Sequence, residues 1–191
     1  MCANGNAYIC EKTLVFMEKE KLIEIIDSWE NLNFILTEFS SKPELFSLLM
    51  EVALYNSEQK TWRAAYVADK IHDDYPELLL PYIDKMVEQL PKEKNLSKKR
   101  HFLKLLSMNE IPEKHFGFLV DFCFETMASE EPPAVRVHAM QILFNISEKE
   151  PDLKPEVLAQ IEHEIEFHST AGIISRGSKL AGKLRKQTGL Q

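Results

Sequence analysis

The sequence predicts an all-α protein, a short α-solenoid (α-α superhelix) of about four stacked helix pairs behind a helical capping segment. Three observations predict it. Glycine is scarce, six in 191 residues, while Leu, Glu, Lys, Ile and Met, which favour helices, abound. The dipeptide Pro-Glu recurs at Pro43-Glu44, Pro76-Glu77, Pro112-Glu113 and Pro155-Glu156, each time opening an apolar-periodic run. An arginine follows every one of them, at Arg63, Arg100, Arg136 and Arg176, between 20 and 24 residues on. Two markers recurring in step are the signature of stacked structural repeats.

The elements follow in chain order. Residues 1–16, MCANGNAYICEKTLVF, lack a basic segment and a long apolar stretch, so they make a poor signal peptide. They read either as an N-terminal arm or as an over-extended start ahead of Met17. Residues 18–39 read as one or two helices covering the open end of the array, since terminal elements of solenoids are atypical. First helices are predicted at 43–56, 76–91, 112–127 and 151–168. Proline is welcome at a first helical position, and glutamate beside it meets the positive end of the helix dipole. Pro81 falls within the second of these; it either kinks that helix or marks its true start after a short turn at 76–80. Second helices are predicted at 57–74, 97–109, 134–148 and 170–187. The repeats then run about 43–75, 76–110, 112–150 and 151–187, inside a single domain from 17 to 191.

The run Val135-Arg136-Val137-His138-Ala139-Met140-Gln141-Ile142-Leu143 resembles the second helix of a HEAT repeat, of pattern V-R-x-x-A-x-x-x-L. Trp62-Arg63-Ala64-Ala65 echoes its start. The family's aspartate six residues before the arginine is absent, with Ser57, Lys94, Glu130 and Thr170 in its place, and its mid-helix proline stands here at the helix start. The resemblance spans 43–187 and implies an armadillo-type architecture in which second helices line the concave face. HEAT arrays serve as scaffolds, transport receptors, phosphatase subunits and some DNA-repair enzymes, so the resemblance specifies a fold rather than a function.

Charge sorts by helix. The net charge is −7. The first helices with their entry turns carry −10, the second helices with their preceding loops +6, and residues 1–42 −3. The expected partner-binding surface is therefore a basic concave face of Arg63, Lys99, Arg100, Lys104, Arg136, Arg176, Lys179 and Lys183. On the last helix Arg176, Lys179, Lys183 and Lys186 recur at spacings of three and four, one stripe of a helix. Such a face attracts a protein or acidic peptide; nucleic acid is disfavoured by the acidic total. The competing reading is that lysines near helix ends serve solubility and the arginines pair with acidic groups of the next repeat.

Three cysteines, Cys2, Cys10 and Cys123, show no CxxC spacing, which argues against a zinc site or disulfide framework and for a reducing, cytoplasmic setting. No apolar run approaches the ~20 residues of a membrane span. No cofactor motif appears, and no catalytic constellation. Gly177-Ser178-Lys179 is a fragment of a phosphate loop without its strand or upstream glycine; Gly172, Gly177 and Gly182 read as close-packing positions in a helix. His163, Glu164, Glu166 and His168 read as solvated charges rather than metal ligands. Cys123 reads as buried packing. Trp62, Tyr66 and Asp69 share one helix face and resemble the groove of HEAT-like glycosylases that excise alkylated DNA bases, but the aromatics read as core and Asp69 as surface. The leading expectation is a non-catalytic interaction or scaffold module. The alternatives are a nucleic-acid-binding HEAT protein of that glycosylase type and a self-assembling structural repeat protein.

Overall fold

A computed structural model describes residues 19–28 and 32–189. The arm predicted at 1–16 lies outside the described residues. All regular structure among the described residues is helical, and the chain divides into two compact units, one ending at Leu79 and the other beginning at Leu80.

The first unit holds α1 (Lys19–Asp27), α2 (Leu32–Ser41), α3 (Pro43–Tyr55) and α4 (Trp62–His72). The capping segment is thus two helices. Pro43 stands in the first turn of α3, where its missing N–H costs nothing. α3 packs along α4, and α1 and α2 pack against both. Leu22, Ile35, Phe39, Leu49 and Met50 are buried between them. Three alanines, Ala64, Ala65 and Ala68, form the inner face of α4 and are fully buried, so small side chains bring the backbones close.

The second unit holds α5 (Ile83–Gln89), α6 (Leu96–Met108), α7 (Phe116–Ala128), α8 (Pro133–Ser147), α9 (Lys154–Phe167) and α10 (Ala171–Thr188). α7 pairs with α8 and α9 with α10, while α6 packs on α8 and α8 on α10. The second helices of this unit therefore form one layer, ordered α6–α8–α10. α8 sits at its centre and is apolar almost all round: Val135, Ala139, Met140, Ile142, Leu143 and Ile146 are each at most 1% exposed. Burying one such aliphatic side chain is worth about 1.5–3 kcal/mol, which makes α8 the energetic centre of the unit.

Helix starts explain the departures from the predicted spans. At Pro76 and Pro112 the chain does not enter an α-helix directly. A 3-10 stretch, Pro76–Tyr82 or Glu113–His115, comes first. Pro81 lies inside the former, and α5 begins only at Ile83, so the turn-then-helix reading of 76–91 holds and the helix is short. α6 starts cleanly because the Asn95 side chain accepts hydrogen bonds from the Ser97 and Lys98 amides at 3.0 and 3.3 Å. Thr170, at a position where the HEAT pattern has aspartate, caps α10 by accepting from the Ile173 amide. α10 ends at Gly189, whose φ of 70° is the left-handed conformation glycine adopts freely.

Of the three glycines expected to allow close packing, only Gly177 does so. A Cβ there would stand 2.9 Å from Ile165 Cγ1, so α9 and α10 approach as closely as they do because the position carries no side chain. Gly172 leaves ordinary contact distance to Val137, and Gly182 borders open space.

Candidate binding surface of the second helices

The predicted basic residues fall into two groups. Arg63 belongs to the first unit and is held there. Its guanidinium pairs with the Asp27 side chain and also donates to the Asp27 carbonyl, tying the start of α4 to the end of α1. Lys60 reaches the same carboxylate at 2.5 Å.

In the second unit Arg136 is buried and forms an ion pair with Glu164 of α9 at 3.0 Å, while it also donates to the Ser129 carbonyl. Lys99 pairs with Glu131 at 2.5 Å, both half-hidden. Arg136 thus pairs with the next repeat, as the pairing alternative expects, and Lys99 reaches the loop between α7 and α8, whereas Arg63 pairs back to the capping helix α1.

The remaining cations line the α6–α8–α10 layer. Arg100 and Lys104 lie half-buried on α6, with the Arg100 guanidinium 2.9 Å from His101 Nε2. Arg176, Lys179, Lys183 and Lys186 are exposed along α10. Among the described residues none of these four, nor Arg100, is ion-paired with a carboxylate. The partners they do have are neutral. Arg176 donates to Gln141 Oε1 at 2.6 Å, and the Lys183 ammonium sits over the Phe144 ring at 5.4 Å.

A polar chain crosses the three helices. From Arg176 it continues through Gln141 Nε2 to Asn145 Oδ1 at 2.8 Å and from Asn145 Nδ2 to the Ser107 carbonyl at 2.8 Å. The side chains of Arg176, Gln141 and Asn145 and the main-chain carbonyl of Ser107 thus link α10, α8 and α6. The result is a neutral amide centre on α8 flanked by cations on α6 and α10.

Lys98, one of the charges counted toward the basic face, is instead 1% exposed, with its ammonium 3.7 Å from Glu93 Oε2. Burial lowers its pKa below the ordinary lysine value, and Glu93 opposes the shift only in part. A folded pKa below the unfolded one means the unfolded chain holds more protons in the window between them. Stability then rises with pH from the lowered value up to about 10.5. We predict that wild type gains stability relative to Lys98→Met as pH rises through that window. Denaturant titrations at several alkaline pH values will check it.

Two expectations about charged residues need correction. Glu164 is not a solvated charge: it is completely buried and is the counterion of Arg136. Its position follows Val157 and Ile161 on the apolar stripe of α9, which is the signal that marks it. Asp69 is not at the surface: it is 3% exposed, in line with Ala65 and His72 on the inner face of α4. Trp62 and Tyr66 are half-buried and stack edge to face, their centroids 6.4 Å apart, so the three do not present an open aromatic groove. Cys123 is fully buried, and the apolar surroundings push its thiol pKa up, away from the reactive thiolate. Among the described residues no group of three metal-ligating side chains occurs, and no helix is long and apolar enough to cross a membrane.

Paired helices in register, with second helices layered side by side, define an α-helical repeat protein. The family model for the HEAT repeat domain matches residues 19–179, and the chain belongs to that family. Comparison with the curated proteins and with the solved structures gave no match. The matched range begins at α1, so it takes in the capping helices that the sequence resemblance left outside the repeats.

Proposed function

We propose that this chain is a non-catalytic interaction module whose second-helix layer binds an acidic protein segment. One observation carries the reading: four exposed cations on α10, with Arg100 and Lys104 on α6, sit to either side of the Gln141 and Asn145 amides of α8, whose own cation, Arg136, is buried against Glu164. Cations already engaged with carboxylates have little left to offer a ligand; Arg100 and the four α10 cations are not so engaged and have kept their charge available. Their potential adds over the layer and steers an acidic segment toward it. Arg63, Lys99 and Arg136 belong to the architecture in this reading, and the contact residues are Arg100, Lys104, Arg176, Lys179 and Lys183.

The test uses a fluorescent oligoglutamate peptide and the purified full chain. Wild type is expected to bind it with an affinity that falls as salt rises, and Arg100→Glu/Arg176→Glu is expected to weaken binding by about tenfold or more, since close charge pairs at interfaces are worth 1.5 kcal/mol upward. Equal binding by wild type and variant would sink the proposal. A duplex DNA probe run alongside distinguishes the nucleic-acid alternative, which requires strong, steeply salt-dependent binding to the duplex.

A further inference from the structure

The polar chain across the second-helix layer has a direction that hydrogen-bonding chemistry fixes. Arg176 can only donate, and the Ser107 carbonyl can only accept. Gln141 and Asn145 stand between them, so each turns its amide oxygen toward the Arg176 end of the chain and its nitrogen toward the Ser107 end. Each amide spends one N–H and one oxygen lone pair in this way. Each keeps one N–H and one lone pair, and both side chains are half-buried, within reach of a ligand. They present two donor–acceptor units four residues apart on α8, about 6 Å along its axis.

The cations lie in rows to either side. Val137 lies beside Gly172, Gln141 meets Arg176 and Glu148 meets Gln187, so α8 and α10 run parallel. Asn145 meets Ser107 and Lys149 meets Glu110, so α6 runs parallel to α8 as well. Arg176, Lys179 and Lys183 follow one another at helical spacing on α10, and Arg100 and Lys104 precede Ser107 at the same spacing on α6.

We infer that the ligand of this layer is an extended acidic segment lying along α8, its main chain held by Gln141 and Asn145. The inference rests on the binding reading above and names the form of the partner. Residues i and i+2 of an extended chain present N–H and C=O on one edge, about 6.6 Å apart, close to the spacing of the two amides. With that edge on α8, successive side chains point alternately toward α6 and α10, so carboxylates at neighbouring positions meet both rows of cations. A helical segment does not match, because its main-chain groups are spent internally. Nor does a ligand carboxylate match the amides, since it takes their N–H groups and leaves their oxygens unpaired.

The test adds uncharged changes to the oligoglutamate assay, read by anisotropy with the full chain. Gln141→Leu/Asn145→Leu alters no charge and is expected to weaken the peptide about fivefold, since a net hydrogen bond is worth about two- to tenfold in affinity. The sign is informative: the variant releases Arg176 from Gln141, which by itself favours a purely ionic ligand. On wild type, an oligoglutamate N-methylated at every residue keeps its charge but has no N–H to donate. It is expected to bind about fivefold more weakly than the plain peptide, and to bind wild type and the double variant equally. A peptide N-methylated at every second residue keeps one edge intact and is expected to match the plain peptide. If the double variant binds the plain peptide as tightly as wild type does, charge alone holds the ligand and the inference fails. It fails too if full methylation costs nothing, or if alternate methylation costs as much as full methylation, which would mark methyl bulk as the cause. In each of these cases Arg100→Glu/Arg176→Glu still weakens binding, and the broader reading stands. If wild type binds no oligoglutamate at all, both fall together.

Discussion

Replacing Glu164 with alanine is expected to cost the second unit about 3–5 kcal/mol, because it strands the Arg136 guanidinium in the interior without a counterion. Glu164 is completely buried and Arg136 nearly so. The guanidinium keeps its hydrogen bond to the Ser129 carbonyl, but its charge is then opposed by nothing at close range. The cost is large although the pair itself need not stabilise the fold much. Desolvating two ions consumes most of what their attraction returns, and removing one leaves the penalty of the other in full. The double variant Arg136→Met/Glu164→Leu is therefore expected to lie closer to wild type than either single charge deletion. Urea unfolding of wild type, Arg136→Met, Glu164→Leu and the double variant closes the thermodynamic cycle. A double variant as unstable as the two single losses added together would show that the residues act separately. The pair also has an architectural consequence: it joins α8 to the first helix of the next repeat, so it is expected to set the register of two adjacent helix pairs.

Phe102→Ala is the second large expected effect, again about 3–5 kcal/mol, from lost burial and the cavity left in a helix interface that cannot fully collapse. Phe102 is 0% exposed on α6, a helix that packs chiefly against α8. The contrast is Phe167→Ala at the end of α9, where the ring is 62% exposed; there the expected change is within about 0.5 kcal/mol. The same chemical deletion thus separates by position, and denaturant midpoints for the two variants measure the separation. If Phe102→Ala shifted the midpoint no more than Phe167→Ala, the α6–α8 interface would not be the close-packed core that the α6–α8–α10 layer requires.

These two residues illustrate what a reader of the sequence sees and misses. Phe102 is legible: it repeats with Leu105 and Leu106 at helical spacing, and large apolar residues at that period are core. Glu164 was read as a surface charge, although Val157 and Ile161 place it on a buried stripe. Lys98, whose charge entered the sum for the second helices, is buried in the same way, since it shares its face with Phe102 and Leu105. In each case the periodicity carried the correct message and the residue type overrode it. A charged residue is usually exposed, and only the presence of a partner from elsewhere reverses the rule. For Glu164 that partner is 28 positions away in the sequence, on a different helix.

The basic surface divides along the same line. The stripe on α10 was legible because four cations at spacings of three and four must share a helix face whatever the tertiary structure. Which of the recurring arginines stay available was not legible. Arg136 and Arg176 occupy equivalent places in successive repeats, yet one is buried against a carboxylate and the other donates to a neutral glutamine at the surface. The difference lies in what the adjoining helix presents, Glu164 in one case and Gln141 in the other.

What the sequence by itself determined is the local order: the helical state of the chain, the paired repeats, and second-helix limits correct to within a residue for α6, α8 and α10. Those follow from interactions that span three or four residues, such as apolar periodicity, proline at helix starts and side-chain caps. What only the tertiary structure decided is the fate of individual charges and the shortened α5 behind its 3-10 entry. Those depend on which side chains meet across helices that are tens of residues apart, and burial, ion pairing and cavity shape are properties of that meeting.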